Sequence, residues 1–427
     1  MELLYTISIL IIIATIFSYI NIRFLKLPST IGIMLIAIIF SVILVITGSF
    51  SPIPLQKVHH LLDDINFAQL LMGGMLYFLL FAGAIQININ DLKEQKISII
   101  VFSTLSVIIS TFVVGFGLYY IFRALFPLIG VTTPPLLIYC LLFGALISPT
   151  DPIAVLSILK EAKVSKALET KVTGESLFND GMAVIAFTVI YNIARGTEHV
   201  SDITFASISW LLVKEIVGGI LVGLTLGYTA FQAMVQTGDS KLSVLITLSV
   251  VIGGYIISQA MGISGPLTMV SAGLVVGNAN RKYSEIKHLE NNFLRTFWEL
   301  TDNIMNAILF LLIGFELLLV PALQDYWIVG IISIVMVLVA RYISIKIPTM
   351  IIPFREKYSK ETIIMLVWGG LRGGVSIALA LSITAEQVYR DTLVAATYFV
   401  VVFSIIVQGL TIGKVAKKIR HEEKAPQ

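Results

Sequence analysis

Apolar runs of 18 or more residues, separated by short polar stretches, recur along the whole chain. A helix rises about 1.5 Å per residue and the hydrocarbon layer of a bilayer is about 30 Å thick, so such runs are long enough to cross it. The pattern predicts an all-α polytopic membrane protein with about thirteen transmembrane helices. They are expected near residues 3–21, 30–48, 67–87, 97–126, 135–159, 168–194, 206–236, 241–260, 264–279, 293–320, 326–347, 360–384 and 391–415.

The composition agrees with this pattern. The 427 residues are 57% hydrophobic and 13% charged, whereas soluble domains carry about 25% charged residues. We expect one transmembrane domain over residues 1–415 and a short basic cytoplasmic tail over residues 416–427, too short to fold by itself. The single cysteine excludes an internal disulfide framework, and a net charge of +3 does not indicate a nucleic-acid partner.

Lysine and arginine favour the cytoplasmic loops of membrane proteins, so their distribution tests the predicted spans. One set of alternate loops, with the tail, holds 22 of the 29 basic residues, and the opposite set holds five. An incorrect number of spans would mix the two sets. The distribution therefore predicts an N-terminus outside and a C-terminus in the cytoplasm.

The fifth predicted span contains the sequence GALISPTDPIAVL, in which Pro149 and Pro152 bracket Thr150 and Asp151. Proline removes a backbone donor and clashes with the preceding turn, so we expect a broken helix here. The freed carbonyls then need protein, water or a cation as partners. A plain kink, with Asp151 capping the second half-helix, is the alternative, and it does not exclude a functional role.

The twelfth predicted span contains VWGGLRGGVSIALAL, with four glycines around Arg372. These glycines permit an unwound backbone. A glycine-rich packing face would also explain them, but it would not explain an arginine so deep in the membrane. Arg372 needs a carboxylate partner, and Glu175 is the candidate. The other charged residues near or within spans are expected to extend from helix ends towards water: Lys214, Glu215, Arg341 and Glu361.

The sixth predicted span contains GESLFNDGM, which places two carboxylates within a turn and a half of helix. Glu175 and Asn179 form one i, i+4 pair, and Ser176 and Asp180 form another beside it. We expect the first pair to hold Arg372 and the second to offer oxygen ligands to a cation. A wholly structural charge cluster is the alternative, but it leaves Asp180 without a partner.

The two interrupted spans lie seven spans apart, which suggests a repeat. Residues of about 1–195 and 241–415 would form two six-helix repeats, and the linking span at about 206–236 would invert the second. Inverted repeats with broken helices that cross near the membrane midplane are typical of secondary transporters. This prediction rests on that analogy and on hydropathy, without residue identity between the halves.

Five segments resemble the monovalent cation:proton antiporter-1 family, and within it the bacterial NhaP-type sodium/proton antiporters. They occur in the family's order and extend over nearly the whole chain. The segments are LLFAGAIQINI (79–89), ALISPTDPIAVL (145–156), GESLFNDGMAVIAF (174–187), FWELTDNIMNAILFLLIGFEL (297–317) and WGGLRGGVSIALAL (368–381).

The resemblance implies that Asp180 is the carboxylate shared by cation and proton. Some family members carry a carboxylate in the third span, but none occurs near Ala82; Gln86, water or nothing would replace it. For Glu316 the resemblance implies only an orienting or structural role. The implied Na⁺ ligands are Asp180, Asp151, Ser176 and the Thr150 backbone oxygen, and the implied supporting cluster is Glu175, Asn179 and Arg372.

The predicted function is therefore exchange of Na⁺ or Li⁺ for H⁺ by alternating access, in a homodimer in the cell membrane, with no cofactor beyond the transported ions. Because Asn179 precedes Asp180, the resemblance implies electroneutral one-for-one exchange. A K⁺/H⁺ antiporter of the same fold stays open, because oxygen ligands alone do not separate these cations. A cation channel would need a continuous polar pathway or a ring of like residues, and the sequence shows one compact site instead. An enzyme is not expected, since the five histidines lie in loops or the tail without ligand spacing.

Overall fold

A computed structural model shows an all-helical chain over the residues that it describes. These are residues 2–48, 67–125, 136–152, 155–156, 158–159, 164–195, 205–287, 293–316, 318, 323–354, 358–384, 387 and 389–423. Several basic residues used above for orientation lie outside these ranges: Lys57, Lys160, Lys163, Arg355, Lys357 and Lys424.

The helices follow the predicted spans closely. In chain order they are α1 (Glu2–Ile20), α2 (Ser29–Gly48), α3 (Phe67–Leu70), α4 (Leu76–Gln86), α5 (Ile89–Glu94), α6 (Lys96–Leu125), α7 (Leu137–Ile147), α8 (Lys166–Arg195), α9 (Phe205–Thr237), α10 (Ser240–Met261), α11 (Gly265–Lys287), α12 (Phe293–Glu316), α13 (Trp327–Ile351), α14 (Lys360–Trp368), α15 (Gly374–Leu381), α16 (Arg390–Phe403) and α17 (Gly409–Glu423). Single π-helical turns over Leu71–Met75 and Ser404–Gln408 join α3 to α4 and α16 to α17.

Within the described ranges, ten helical segments are long and apolar enough to cross a bilayer. The protein is therefore a multi-pass membrane protein, while thirteen spans and the inverted repeat stay predictions. The two predicted interruptions are confirmed. The helix α7 ends at Ile147, before Pro149, and the twelfth predicted span is divided into α14 and α15 by five non-helical residues.

Local sequence signals explain where helices begin and end. The carboxylate of Asp239 accepts hydrogen bonds from the backbone N–H groups of Lys241 and Leu242, which starts α10. Gly262 ends the same helix in the left-handed conformation, at φ 59°, where glycine carries no steric penalty. The capping residues Asp239 and Gly262 therefore lie at the two ends of the apolar run that forms α10.

The helices pack in two groups. In the first, α12 packs on α2 and α4, and α11 packs on α4, α9 and α10. In the second, α6 packs on α7, α8 and α13, while α16 packs on α13 and α15. The groups meet where α8 contacts α11 and where α15 contacts α12. The broken helices therefore belong to the second group and face the first.

Small residues bring α9 and α11 close together. Gly219, Gly223 and Gly227 recur every fourth residue of α9, and a Cβ atom at Gly223 would lie 2.3 Å from the carbonyl oxygen of Thr268. Repeated glycines of this kind allow close backbone approach between membrane helices. The first group is therefore tightly packed.

Candidate cation site between two broken helices

The two helix breaks contact each other through backbone and side-chain hydrogen bonds. The backbone N–H of Asp151 donates to the carbonyl oxygen of Leu371 over 2.7 Å. In return, Nη1 of Arg372 donates to the carbonyl oxygens of Ser148 and of Pro149, the latter over 3.0 Å. The carbonyls freed by the broken fifth span thus find an arginine as their donor, which satisfies them inside the protein.

The predicted pairing of Glu175 with Arg372 is wrong. Oε1 of Glu175 lies 2.5 Å from Nη1 of Arg341, so their ion pair is the one that the structure shows for Glu175. Glu175 remains close enough to Arg372 for their charges to interact. The reason is geometric, because the guanidinium of Arg372 is directed at the carbonyls of the α7 break.

The expectation that Arg341 extends from a helix end towards water is also wrong. The helix α13 continues to Ile351, beyond the predicted end of the span, and leaves Arg341 almost three turns inside it. The side chain is buried, and its Nη2 donates to the carbonyl oxygen of Leu366 over 3.1 Å. The supporting cluster therefore contains two arginines where the sequence suggested one.

A hydroxyl and amide network joins α8 to the break after α7. Nδ2 of Asn179 donates to Oγ1 of Thr150 over 2.7 Å. The hydroxyl oxygens of Thr150 and Ser176 lie 2.9 Å apart and share a hydrogen bond. All three side chains are buried. Asn179 thus orients Thr150 and does not hold Arg372, contrary to the prediction.

A cavity of about 450 Å³ lies between the two helix groups at this point. All four predicted cation ligands, Thr150, Asp151, Ser176 and Asp180, line it. The predicted supporting residues lie behind that wall. The charges of Asp151 and Asp180 are close enough to interact. Oxygen-rich broken helices of this kind coordinate Na⁺ and H⁺ in secondary transporters.

The Asp151 carboxylate lies against Gly373, the residue directly before α15. A Cβ atom on Gly373 would lie 2.8 Å from Oδ2 of Asp151, so only a glycine leaves this space to the carboxylate. The N-terminal end of a helix carries a partial positive charge, which favours a carboxylate there. The two broken helices therefore jointly position Asp151.

Two cavity residues were missed by the sequence analysis. Asp302 on α12 lines the cavity, and so does Ser376 on α15. The Ser376 hydroxyl is fully buried and has no hydrogen-bond partner among the described residues. Asp302 lies ten residues inside a predicted span, and an intramembrane carboxylate is by default a functional candidate. That signal was sufficient to find it.

The third span contributes Gly83 and Gln86 to the cavity wall. Nε2 of the Gln86 amide donates to the carbonyl oxygen of Ala82 over 3.1 Å. This nitrogen therefore satisfies a carbonyl in the last turn of α4. Glu316, at the last residue of α12, is buried and lies outside the cavity wall. It lies close to the buried Tyr398, and its role stays a prediction.

The cavity extends to the helix ends that the basic residues assign to the cytoplasm. Residues of both charge signs line this mouth: Asp91, Lys166, Glu169, Arg281 and Arg295. Nζ of Lys166 lies 2.7 Å from Oδ2 of Asp91. The mouth therefore carries charges of both signs, whereas the charged residues deeper in the cavity are carboxylates.

A family model described as "Sodium/hydrogen exchanger, transmembrane" matches residues 10–418. The chain belongs to the sodium/hydrogen exchanger family. It is 42% identical over 411 residues to the Na(+)/H(+) antiporter NhaP of Pseudomonas aeruginosa, covering 95% of this chain and 94% of the relative. It is 32% identical to the Na(+)/H(+) antiporter NhaH of Halobacillus dabanensis, covering 97% of each chain.

The fold agrees with a solved member of this group of proteins. The sodium proton antiporter MjNhaP1 from Methanocaldococcus jannaschii superposes with a TM-score of 0.75, covering 98% of this chain and 99% of that one at 18% identity. The relatives are named as transporters and not as enzymes. The superposition shows the fold of this chain, and its ten long apolar helices in the described residues show a multi-pass membrane protein.

Proposed function

We propose that the protein exchanges Na⁺ or Li⁺ for H⁺ across the membrane, with Asp180 binding the cation and the proton in turn. The observation that supports this most is the arrangement of Asp180, Asp151, Thr150 and Ser176 around one cavity at the helix breaks. The names of the relatives NhaP and NhaH, both Na(+)/H(+) antiporters, favour the same substrates.

Competition for one carboxylate couples the two ions. Asp180 has no basic partner among the described residues, so a cation or a proton must neutralise it inside the membrane. The empty, charged site is the costly state, and the loaded states are the ones that move. Na⁺ in one direction then requires H⁺ in the other.

The proposed stoichiometry is one cation for one proton. Asn179 is neutral and is engaged by Thr150, while Glu175 is engaged by Arg341. The stoichiometry assumes that Glu175 and Asp151 keep the same protonation state throughout the cycle, so that only Asp180 carries a proton. The transported charge is then equal in both directions, and exchange should not respond to an imposed membrane potential.

Alternating access would occur by movement of the helix group that contains α7, α8, α14 and α15 against the group that contains α12. We further propose that the cavity opens to the cytoplasm and that the protein acts as a dimer in the cell membrane. The distribution of basic residues supports the orientation. No cofactor beyond the transported ions is needed.

The test uses everted membrane vesicles in which respiration acidifies the interior and quenches a permeant basic dye. Adding NaCl or LiCl to wild-type vesicles should restore fluorescence, and Asp180→Asn should insert normally but lose this response entirely. The matched control is Asp239→Asn, which also removes one carboxylate on the cytoplasmic side but keeps the capping geometry of α10. Full recovery of fluorescence in Asp180→Asn vesicles would contradict the assignment of Asp180 as the carboxylate that binds the cation and the proton.

The same vesicles separate the alternatives. Recovery with KCl alone would indicate a K⁺/H⁺ antiporter of the same fold. A response that follows the membrane potential, set with a K⁺ ionophore, would contradict electroneutral exchange. Cation flux that persists without a proton gradient and without H⁺ movement would indicate a channel.

A further inference from the structure

We propose that Asp302 is an entry carboxylate, which binds the cation in the cytoplasmic half of the cavity before it reaches Asp151 and Asp180. The proposal rests on the exchange function proposed above. It assigns a cation-binding role to a residue on the opposite wall of the cavity from the predicted ligands. It also places a carboxylate beside the third span, which offers none near Ala82.

The position of Asp302 along α12 places it between the mouth and the helix breaks. Arg295, Asp302 and Leu309 are spaced by seven residues, and all three line the cavity. Seven residues are two turns, so they share one face at intervals of about 10 Å. Leu309 contacts the start of α15, because its side chain fills the space where a Cβ atom of Gly374 would lie. Asp302 is thus about 10 Å nearer to the mouth than the breaks.

Three carboxylates, Asp151, Asp180 and Asp302, line the deeper part of the cavity. The charge of Asp151 interacts with that of Asp180 and also with that of Asp302. Nevertheless, no three acidic, histidine or cysteine side chains in the described part of the chain are close enough to form one metal site. The carboxylates are therefore spread along the cavity and are not gathered into one metal site.

The Asp302 side chain is held in place but is not neutralised. Nδ2 of the buried Asn306 donates to Oδ1 of Asp302 over 3.0 Å and to its backbone oxygen over 2.8 Å. Asp302 forms no ion pair with the basic residues that the structure describes. A carboxylate held against a membrane-embedded cavity without a counter-charge requires a cation or a proton.

Ser376 adds a polar group to the inner part of this path. Its hydroxyl is fully buried on the cavity wall and has no hydrogen-bond partner in the described residues. Leaving a buried hydroxyl unsatisfied is unfavourable, so a water molecule or a cation in the cavity is its expected partner. The path from Asp302 to Asp180 thus carries oxygen ligands at both levels.

The two cavity walls belong to different helix groups. Asp302 should therefore act on cations from one side of the membrane only. Asp302 is on α12, which packs on α2 and α4, whereas Asp180 is on α8, which packs on α6 and α7. When the second group moves to open the other side, Asp180 leaves the neighbourhood of Asp302. Asp302 should therefore help cations that arrive from the cytoplasm and not those that arrive from outside.

The experiment compares everted vesicles, whose cytoplasmic face is outward, with right-side-out vesicles from the same cells. For Asp302→Asn we expect the KM for Na⁺ to rise about tenfold in everted vesicles, because one attractive charge is lost along the path. Maximal exchange should be unchanged. In right-side-out vesicles, with radioactive Na⁺ uptake driven by an acidic interior, the KM should equal that of the wild type.

Two further variants separate this role from a structural one. Asp302→Glu keeps the charge and should retain a KM close to the wild-type value. Glu94→Gln removes an exposed carboxylate from the same side but outside the cavity, and it should leave both KM values unchanged. A KM for Asp302→Asn that is unchanged, or that rises equally from both sides, would overturn the proposal.

The outcome also distinguishes the two proposals. If wild-type vesicles show no exchange, or if Asp180→Asn exchanges fully, the proposed function fails and the entry role fails with it. If both behave as expected but Asp302→Asn has the wild-type KM from the cytoplasmic side, only the entry role fails.

Discussion

The two buried carboxylates of α8, Glu175 and Asp180, lie five residues apart and in opposite surroundings. Glu175 is paired with Arg341 at 2.5 Å and lies behind the wall of the cavity. Asp180 lines the cavity and has no basic partner among the described residues. Both carboxylates are buried, so burial does not distinguish them. They differ in what lies beside each, an arginine for Glu175 and an open cavity for Asp180.

The largest expected effect comes from breaking the paired side of α8. Arg341→Ala leaves Glu175 without its ion pair, and breaking a buried pair costs about 3–5 kcal/mol. We expect a strong fall in melting temperature in detergent and in abundance in the membrane. Asp180→Asn, which touches only the cavity side, should melt like the wild type.

Removing both partners sharpens this prediction. A Glu175→Gln, Arg341→Met double variant leaves no unpaired charge from this ion pair, so most of the lost stability should return. A wild-type melting temperature in the Arg341→Ala single variant would contradict a structural role for the pair.

An intermediate effect is expected from crowding the cavity side. Gly373→Ala places a methyl group 2.8 Å from Oδ2 of Asp151, so the carboxylate must move. Displacing a binding group by a fraction of an ångström to an ångström lowers turnover substantially, and we expect about a tenfold loss of exchange. The measurement is the initial rate of dye recovery in vesicles at equal protein abundance.

Gly253→Ala is the matched control for that substitution. A Cβ atom at Gly253, within α10, would meet no other atom within 4 Å, so exchange should be unchanged and helix stability slightly increased. Equal losses in both variants would show that Gly373 has no special relation to Asp151.

The smallest effect is expected at Thr150, which lies between the ion-paired Glu175 and the cavity carboxylate Asp180. Thr150→Val removes the hydroxyl that accepts from Asn179 and contacts Ser176. We expect a loss of about 1–2 kcal/mol of stability and a severalfold rise in the KM for Na⁺. Thr150→Ser keeps the hydroxyl and should restore both. A Thr150→Val protein with unchanged stability and KM would remove Thr150 from the network.

Much of the fold could be predicted from the chain because apolar runs, prolines and glycines act locally. Pro149 removes a backbone donor and clashes with the preceding turn, and the glycines around Arg372 permit an unwound segment; both effects are local and need no partner. The candidate ligands Asp151 and Asp180 could likewise be found, since a membrane span that contains a carboxylate is unusual.

The choice of ion-pair partner could not be predicted in the same way. Arg341 and Arg372 are both compatible with Glu175 by depth, and only the three-dimensional path of α13 and the break before α15 assigns Arg341 to it. The apparent nearness of Arg341 to a helix end came from a span boundary placed four residues too early. Asp302 could have been found by the same signal as Asp151 and Asp180, because it also lies within a predicted span. Only its place on the cavity wall needed the structure, since that cavity is formed by helices distant in sequence.

The reciprocal hydrogen bonds between the breaks have a mechanical consequence. Asp151 donates to the residue before Arg372, and Arg372 donates to two residues before Thr150. Sliding α7 past α15 would break all of these bonds where no bulk water replaces them, at several kcal/mol for each group left unsatisfied. The crossing should therefore move as a rigid joint. Under the proposed alternating access, displacement would be taken up where α15 contacts Leu309 of α12.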